Sequence, residues 1–269
     1  MDVPKAILLG VIQGLTEFLP VSSSAHIILG QHLLHVVTNA GLTFDVYVHF
    51  GSLLSVIVVF RHDIVAIIKS LTRSVLQGKM REAYRTDDNA RMGWALLVGT
   101  IPVVAAGYWY HDTVKGAFTD PKFVAMNLVV SGLLLFLTGL ARPDNLKRIG
   151  LGSSIIIGIA QAASIFPGIS RSGVTIATAL YAKLNPVLAA RFSFLLAIPV
   201  ILGAVVLETN EVVGHGIDIG IWPIVAGVTA AAVTGYIAIK LLFDILRRGW
   251  INWFAAYCLA VGVCTILFL

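Results

Sequence analysis

The stretch Gln13-Gly-Leu-Thr-Glu17-Phe-Leu-Pro20-Val-Ser22-Ser23-Ser24-Ala-His26 sets an acid, a proline, three serines and a histidine inside a run that is otherwise apolar from 5 to 36. The apolar pieces on either side of Pro20 are about 13 residues long, so each reaches roughly 20 Å as a helix. That is near the midplane of a bilayer but not across it. Proline cannot continue a helix interior, because it lacks the N–H and clashes with the preceding turn. The spacing predicts a re-entrant helix–break–helix hairpin. Irregular backbone at that depth is tolerated only where protein or a wet cavity surrounds it.

The rest of the chain fits a membrane setting. Of its 269 residues 58% are hydrophobic and 12% charged, against roughly 25% charged in a soluble domain. Mean hydropathy is +0.90. The windows 92–110, 123–141, 219–239 and 249–269 hold no charge at all. These features exclude a soluble enzyme, a nucleic-acid partner and a disordered regulator. They also exclude a membrane β-barrel, whose strands would alternate apolar and polar residues. The expected class is an all-α polytopic membrane protein. Its excess of 19 Lys and Arg over 14 Asp and Glu is a topology signal. Cys258 and Cys264 read as small packed residues. Gln13 and Glu17 interrupt the first apolar run, so it is not read as a removable signal peptide.

Six segments read as full crossings: 44–60, 92–110, 123–141, 187–207, 219–240 and 249–269. A second broken stretch, 151–184, interrupts at Phe166-Pro167-Gly168 and reads as a second re-entrant hairpin. The connection 61–91 carries Arg61, Lys69, Arg73, Lys79, Arg81, Arg85 and Arg91 and should be cytoplasmic. The 110–122 connection balances two lysines against two aspartates and should be outside. Arg142, Lys147 and Arg148 return inside, Glu208, Glu211 and Asp218 lie outside, and Lys240, Arg247 and Arg248 are inside again. The first hairpin must then enter from outside and the second from inside. Gly10-Val-Ile-Gln13 with Phe18-Leu-Pro20-Val-Ser22 matches Gly158-Ile-Ala-Gln161 with Ile165-Phe-Pro167-Gly-Ile-Ser170 after one gap. The expectation is one integral membrane domain of two inverted repeats. They span 1–141 (hairpin 5–36 plus three crossings) and 142–269 (hairpin 151–184 plus three crossings). Such architectures place a binding site near the midplane, at the repeat interface.

The polar residues of the hairpins carry the chemistry. Gln13 and Glu17 are four apart and share a helix face. Ser22, Ser23 and Ser24 open the next half-helix, where serine caps well, and His26 follows one turn on. In the second hairpin Ser170 is the expected N-cap and Arg171 sits in the first turn. The helix dipole disfavours a cation there unless an anion binds, and free N–H groups at a helix N-terminus attract anions. Arg adds a planar donor fork suited to phosphate. Two such N-termini, one with Ser22, Ser23, Ser24 and His26, the other with Ser170, Arg171, Ser172 and Thr175, would converge on a phosphate or diphosphate. The expected nucleophile is Ser23, His26 or a water activated by His26, with Glu17 orienting His26 or anchoring a metal. Arg171 could also simply pair with Glu17. His32 and His35 read as interfacial, and Arg191 as snorkelling from the cytoplasmic end of a crossing. Asp45 and His49 pair with each other or face the site, and 85–89 reads as a solvated turn. The same architecture equally describes a transporter or lipid flippase.

These two motifs, with Arg191-Phe-Ser-Phe-Leu-Leu-Ala-Ile-Pro199, closely resemble the undecaprenyl-diphosphate phosphatase (bacitracin-resistance protein) family over essentially the whole chain. The resemblance implies an inverted-repeat fold in the bacterial cytoplasmic (inner) membrane. It implies hydrolysis of undecaprenyl diphosphate to undecaprenyl phosphate and inorganic phosphate, recycling the lipid carrier for peptidoglycan synthesis and conferring bacitracin resistance. It places active-site residues at Glu17, Ser22, Ser23, Ser24, His26, Ser170, Arg171 and Ser172. With the residue types this gives Glu17, Ser23, His26 and Arg171 as the expected catalytic residues and Gln13, Ser22, Ser24, Ser170, Ser172 and Thr175 as the expected phosphate-binding ones. It implies a divalent cation, Mg²⁺ or Ca²⁺, with Glu17 its candidate ligand. Many members carry a glutamate where this chain has Gln13. The partners implied are a polyprenyl diphosphate lipid and the surrounding membrane lipids, and a homodimer is left open.

Overall fold

The computed structural model describes residues 1–36, 38–110, 113, 117, 120–140, 148–215 and 219–268, with side chains at all of these but 38–43, 140, 207, 208 and 210–215. The described residues form helices and turns with no strand. In chain order the helices are α1 (Val3–Phe18), α2 (Ser23–Leu33), α3 (Thr38–Val59), α4 (Arg61–Leu76), α5 (Met80–Thr86), α6 (Asp88–Trp109) and α7 (Pro121–Leu137). There follow a 3-10 turn (Thr138–Leu140), α8 (Leu151–Ala163), α9 (Arg171–Tyr181), α10 (Pro186–His215), α11 (Ile221–Arg247) and α12 (Asn252–Phe268). Both broken hairpins are present: α1 and α2 flank the break at Pro20, and α8 and α9 the break at Pro167.

The helices α6, Pro186–Val206 of α10, and α11 are each long and apolar enough to cross a bilayer. The pair Phe44–Val59 and Arg61–Leu76, bent by 75°, gives a fourth span if counted as one. The protein is therefore a multi-pass helical membrane protein. Two expected crossings are shorter than drawn, since α7 and α12 each have 17 residues. The loop charges Asp112, Lys115, Arg142, Lys147 and Asp218, and the side chains of Glu208 and Glu211, lie outside the described residues.

The 61–91 connection is not a loop. It folds as α4 and α5 and then enters α6 four residues earlier than the charge-free window suggests. Ile64, Ile67 and Leu71 recur at three- and four-residue intervals and turn one face of α4 to the core, the mark of an amphipathic helix. The 85–89 stretch is a helix cap rather than a solvated turn. The Asp87 carboxylate accepts from the N–H groups of Asn89 (2.8 Å) and Ala90 (3.3 Å). Partial desolvation would raise its pKa, but these bonds, one from Ser70 and the charge of Arg73 outweigh it, and the carboxyl is held below its usual range.

The hairpins are clamped from outside by long helices at glycine contacts. Along α1 and α11, a Cβ added at Gly10 would stand 2.3 Å from the Gly227 carbonyl oxygen. Along α8 and α6, a Cβ at Gly158 would stand 2.3 Å from that of Gly99. Between α7 and α12, Gly132 faces Ala255 and Leu259 while Gly262 faces Ala125 and Val129. Small residues let helix backbones approach where lipid supplies no hydrophobic drive. Under the first break the core is aromatic. Phe194 of α10 meets Phe18 of α1 edge-on (5.5 Å, 89°) and Phe243 of α11 likewise (6.0 Å, 85°), with Phe60 beside both.

Gly10→Ala and Gly158→Ala should each destabilise by about 1–3 kcal/mol through overpacking. Gly152→Ala, whose Cβ would meet no atom within 4 Å, should leave the melting temperature unchanged or raised. Thermal unfolding of the purified variants in detergent checks this, and equal stability of all three would contradict the described contacts.

Candidate active site

Each half-helix beyond a break starts from a serine cap. Ser22 Oγ accepts from Ala25 N at 3.5 Å, and Ser170 Oγ accepts from Gly173 N at 3.1 Å. Ser22 holds φ at +67°, a left-handed conformation costly for a residue with a Cβ. Gly168 at φ +93° has the Val124 carbonyl 2.1 Å from where a Cβ would stand, so the second break needs glycine there.

The two breaks are stitched to one another. Gly168 N donates to Ser24 Oγ (3.1 Å), and Ser172 Oγ donates to the Leu19 carbonyl (3.1 Å). Between them Glu17, 7% exposed, is surrounded. Its Oε1 takes Arg171 Nη2 at 2.9 Å. Its Oε2 accepts from Ser23 Oγ at 2.6 Å and Gln13 Nε2 at 2.9 Å. His49 Nε2 of α3 approaches the same oxygen at 3.8 Å, with Nδ1 2.7 Å from the Asp45 carbonyl. Among the described residues, Arg171 Nη1 is buried without a hydrogen-bond partner, as is Gln13 Oε1.

His26 stands apart from Glu17. Its Nδ1 folds back on the Ser22 carbonyl four residues earlier (2.8 Å) and its Nε2 meets the Tyr257 hydroxyl of α12 (2.8 Å). The expectation that Glu17 orients His26 is therefore corrected, and Glu17 bonds Ser23 instead. Thr175 is also turned away. Its hydroxyl donates within the helix to the Arg171 carbonyl (2.8 Å) and so accepts from Ser193 (2.6 Å). Ser22 and Ser170 are spent as caps, and Ser24 and Ser172 as cross-links. Arg191 does not simply snorkel, because it is ion-paired with Asp63. The Asp45 side chain takes a bond from Gln31 (2.7 Å).

Ion pair, capped N-termini and a serine on a carboxylate occur together with a match over nearly the whole chain. Residues 6–264 match the family described as bacitracin resistance protein BacA. The chain belongs to the BacA family. It is 40% identical to the undecaprenyl-diphosphatase of Methanobrevibacter smithii over 98% of this chain and 96% of that one. It is 39% identical to that of Salinibacter ruber, covering 96% of each, and 38% identical to that of Korarchaeum cryptofilum, covering 98% of each.

In this BacA-family site a resident Mg²⁺ or Ca²⁺ does not fit the residues around Glu17. Such ions take a shell of oxygen ligands, several of them carboxylates in protein-built sites. Here the neighbouring side chain at Gln13 is an amide, and Arg171 and Ser23 already hold the one carboxylate. Among the described residues no group of three His, Cys, Asp or Glu could hold an ion.

Sequence reading missed the residues that brace the site. Asn127 of α7 donates to the Pro167 carbonyl (2.8 Å). Ser131 receives from Ser170 N (2.9 Å) and lies 3.2 Å from the Gly168 carbonyl. Tyr257 and Cys258 of α12 reach His26 and the Pro20 carbonyl. Asn127 and Ser131, four apart in an apolar window, were a visible polar pair; nothing in the apolar run around Tyr257 marked it out.

Asn127→Leu should cost about 1–3 kcal/mol, since it strands a buried carbonyl at the break. Thermal unfolding checks this, and wild-type stability would show that the second break needs no bond from α7.

Proposed function

We propose that this BacA-family member hydrolyses undecaprenyl diphosphate to undecaprenyl phosphate and inorganic phosphate in the cytoplasmic membrane. The reaction returns the lipid carrier to peptidoglycan synthesis and thereby confers bacitracin resistance. The single observation that carries the reading is Arg171. It is fixed by Glu17 through Nη2, and at the N-terminus of α9 it keeps a buried Nη1 with no partner among the described residues. A terminal phosphoryl group satisfies that donor and meets the helix dipole. The names of the relatives speak for the enzyme over the transporter.

The chemistry divides into two steps. The Ser23 hydroxyl already points its proton at Glu17 Oε2. Ser23 Oγ attacks the terminal phosphorus, its proton passes to Glu17, and the bridging P–O bond breaks to release undecaprenyl phosphate. Arg171 and the N–H groups of α9 stabilise the charge on the transferring phosphoryl group. Water then attacks the phosphoserine, activated by His26 from the same first turn of α2, and Glu17 returns its proton to Ser23 as phosphate leaves. A divalent cation would have to enter with the substrate, since Glu17 is already held by Arg171 and Ser23.

The reading includes six crossings, by α3, α6, α7, α10, α11 and α12, in two inverted halves, 1–141 and 142–269. Four paired features support it. The Gly10–Gly227 contact has its like at Gly158–Gly99, and Gly132 and Gly262 sit reciprocally between α7 and α12. The caps at Ser22 and Ser170, and the cross-links at Ser24 and Ser172, also come in pairs.

In detergent, where no two compartments exist, the purified protein should release phosphate from undecaprenyl or farnesyl diphosphate. Arg171→Ala should abolish nearly all turnover while inserting normally. Phosphoenzyme trapped with ³²P-labelled substrate should map to Ser23. No phosphate release by the wild type, or wild-type turnover in Arg171→Ala, would overturn the reading.

A further inference from the structure

Tyr257 sits six residues into α12, whereas tyrosines of membrane helices usually gather at the interfaces. It is 45% exposed, and its hydroxyl is 2.8 Å from His26 Nε2. The two rings stack nearly parallel, 5.6 Å between centroids and 12° apart. The other imidazole nitrogen fixes the direction of this bond. His26 Nδ1 lies 2.8 Å from the Ser22 carbonyl, which can only accept, so Nδ1 carries the proton. In the neutral ring Nε2 then has the lone pair, and the phenol donates to it.

The neighbouring contact shows that α12 is anchored at this level. Cys258 Sγ lies 3.5 Å from the Pro20 carbonyl, so the helix bearing Tyr257 is tied to the break from which α2 starts. Glu17 on α1 and Arg171 on α9 bond each other, and no described hydrogen bond joins either to the His26 ring. Among the described contacts of the His26 ring, Tyr257 is the side chain that touches a nitrogen.

We propose that Tyr257 is a positioning residue for the second step. The Ser22 carbonyl fixes the Nδ1–H tautomer of His26, and the Tyr257 hydroxyl holds the ring with its Nε2 lone pair turned to the place where the hydrolytic water must sit. The phenol occupies that nitrogen until the phosphoserine has formed. As it yields to the water, Nε2 accepts the water proton while the water oxygen bonds phosphorus and the Ser23 O–P bond breaks. The inference rests on the two-step reading above, and it adds a role to a residue outside both hairpins.

The test is Tyr257→Phe, which keeps the ring stack and deletes the donor. Turnover of farnesyl diphosphate should fall about 10²-fold in kcat, in the range of a lost acid–base contribution, with KM within about twofold. The ³²P-phosphoenzyme should accumulate, because the first step does not use His26. In ¹⁵N spectra of histidine-labelled protein in nanodiscs, His26 should show the Nδ1–H tautomer in both proteins, with its Nε2 resonance shifted in the variant by loss of the phenol hydrogen bond. Wild-type kcat in Tyr257→Phe would overturn the proposal. So would a slow variant with no accumulated phosphoenzyme, or one with an unchanged Nε2 resonance. Failure of the two-step reading looks different: the wild type itself would then release no phosphate or form no phosphoenzyme, while the ¹⁵N spectra still report the bond at Nε2.

Discussion

A carboxylate and a guanidinium cannot each be left alone in hydrocarbon, and the pairing of Glu17 with Arg171 across 154 positions of sequence governs the rest of this structure. By insertion scales an unpaired charge near the bilayer centre costs about 3 kcal/mol. Breaking a buried pair costs about 3–5 kcal/mol. Satisfying both charges requires that the two hairpins meet at their breaks. Hence Pro20 and Pro167 lie where the pair forms, and each break must have its freed backbone groups bonded. Ser24 and Ser172 do this between the hairpins, and Asn127, Ser131 and Cys258 do it from the flanking helices.

The pair also sets up the chemistry. A guanidinium bonded by one nitrogen to a fixed carboxylate is pre-oriented, and Arg171 Nη1 has no partner among the described residues. Placing that cation at a helix N-terminus is unfavourable when the site is empty and favourable once an anion arrives. The strained φ at Ser22 belongs to the same arrangement, since it turns Ser23 back toward α1 and onto the carboxylate. Local strain of this kind persists only where surrounding contacts over-determine it.

Much of this was legible in the sequence because hydrocarbon makes polar residues conspicuous. Pro20 and Pro167 announced the breaks, and Glu17, Ser23 and Arg171 stood out as a dense polar set. What stayed hidden depends on tertiary direction. Residues 23 and 26 share one turn of α2, yet Ser23 turns to Glu17 while His26 is captured by its own i−4 carbonyl and by Tyr257. Thr175 looked like a ligand-facing hydroxyl and is spent on Arg171 and Ser193. The basic 61–91 segment read as a loop because charge masked the apolar stripe of α4. The lengths of α7 and α12 were overdrawn because hydropathy windows run past helix ends into apolar turns.

The central claim is that Arg171, held by Glu17, presents its free face to the terminal phosphoryl group. A solid-state ¹⁵N–³¹P distance measurement tests it most directly. The sample is arginine-labelled protein in nanodiscs with a non-hydrolysable methylene-bridged farnesyl diphosphate analogue. The account predicts a guanidinium nitrogen within roughly 4 Å of the terminal phosphorus, as a direct Arg–phosphate bond requires, with the signal lost in Arg171→Lys. A bound analogue whose phosphorus lies near no arginine, or whose contact survives that substitution, would contradict it.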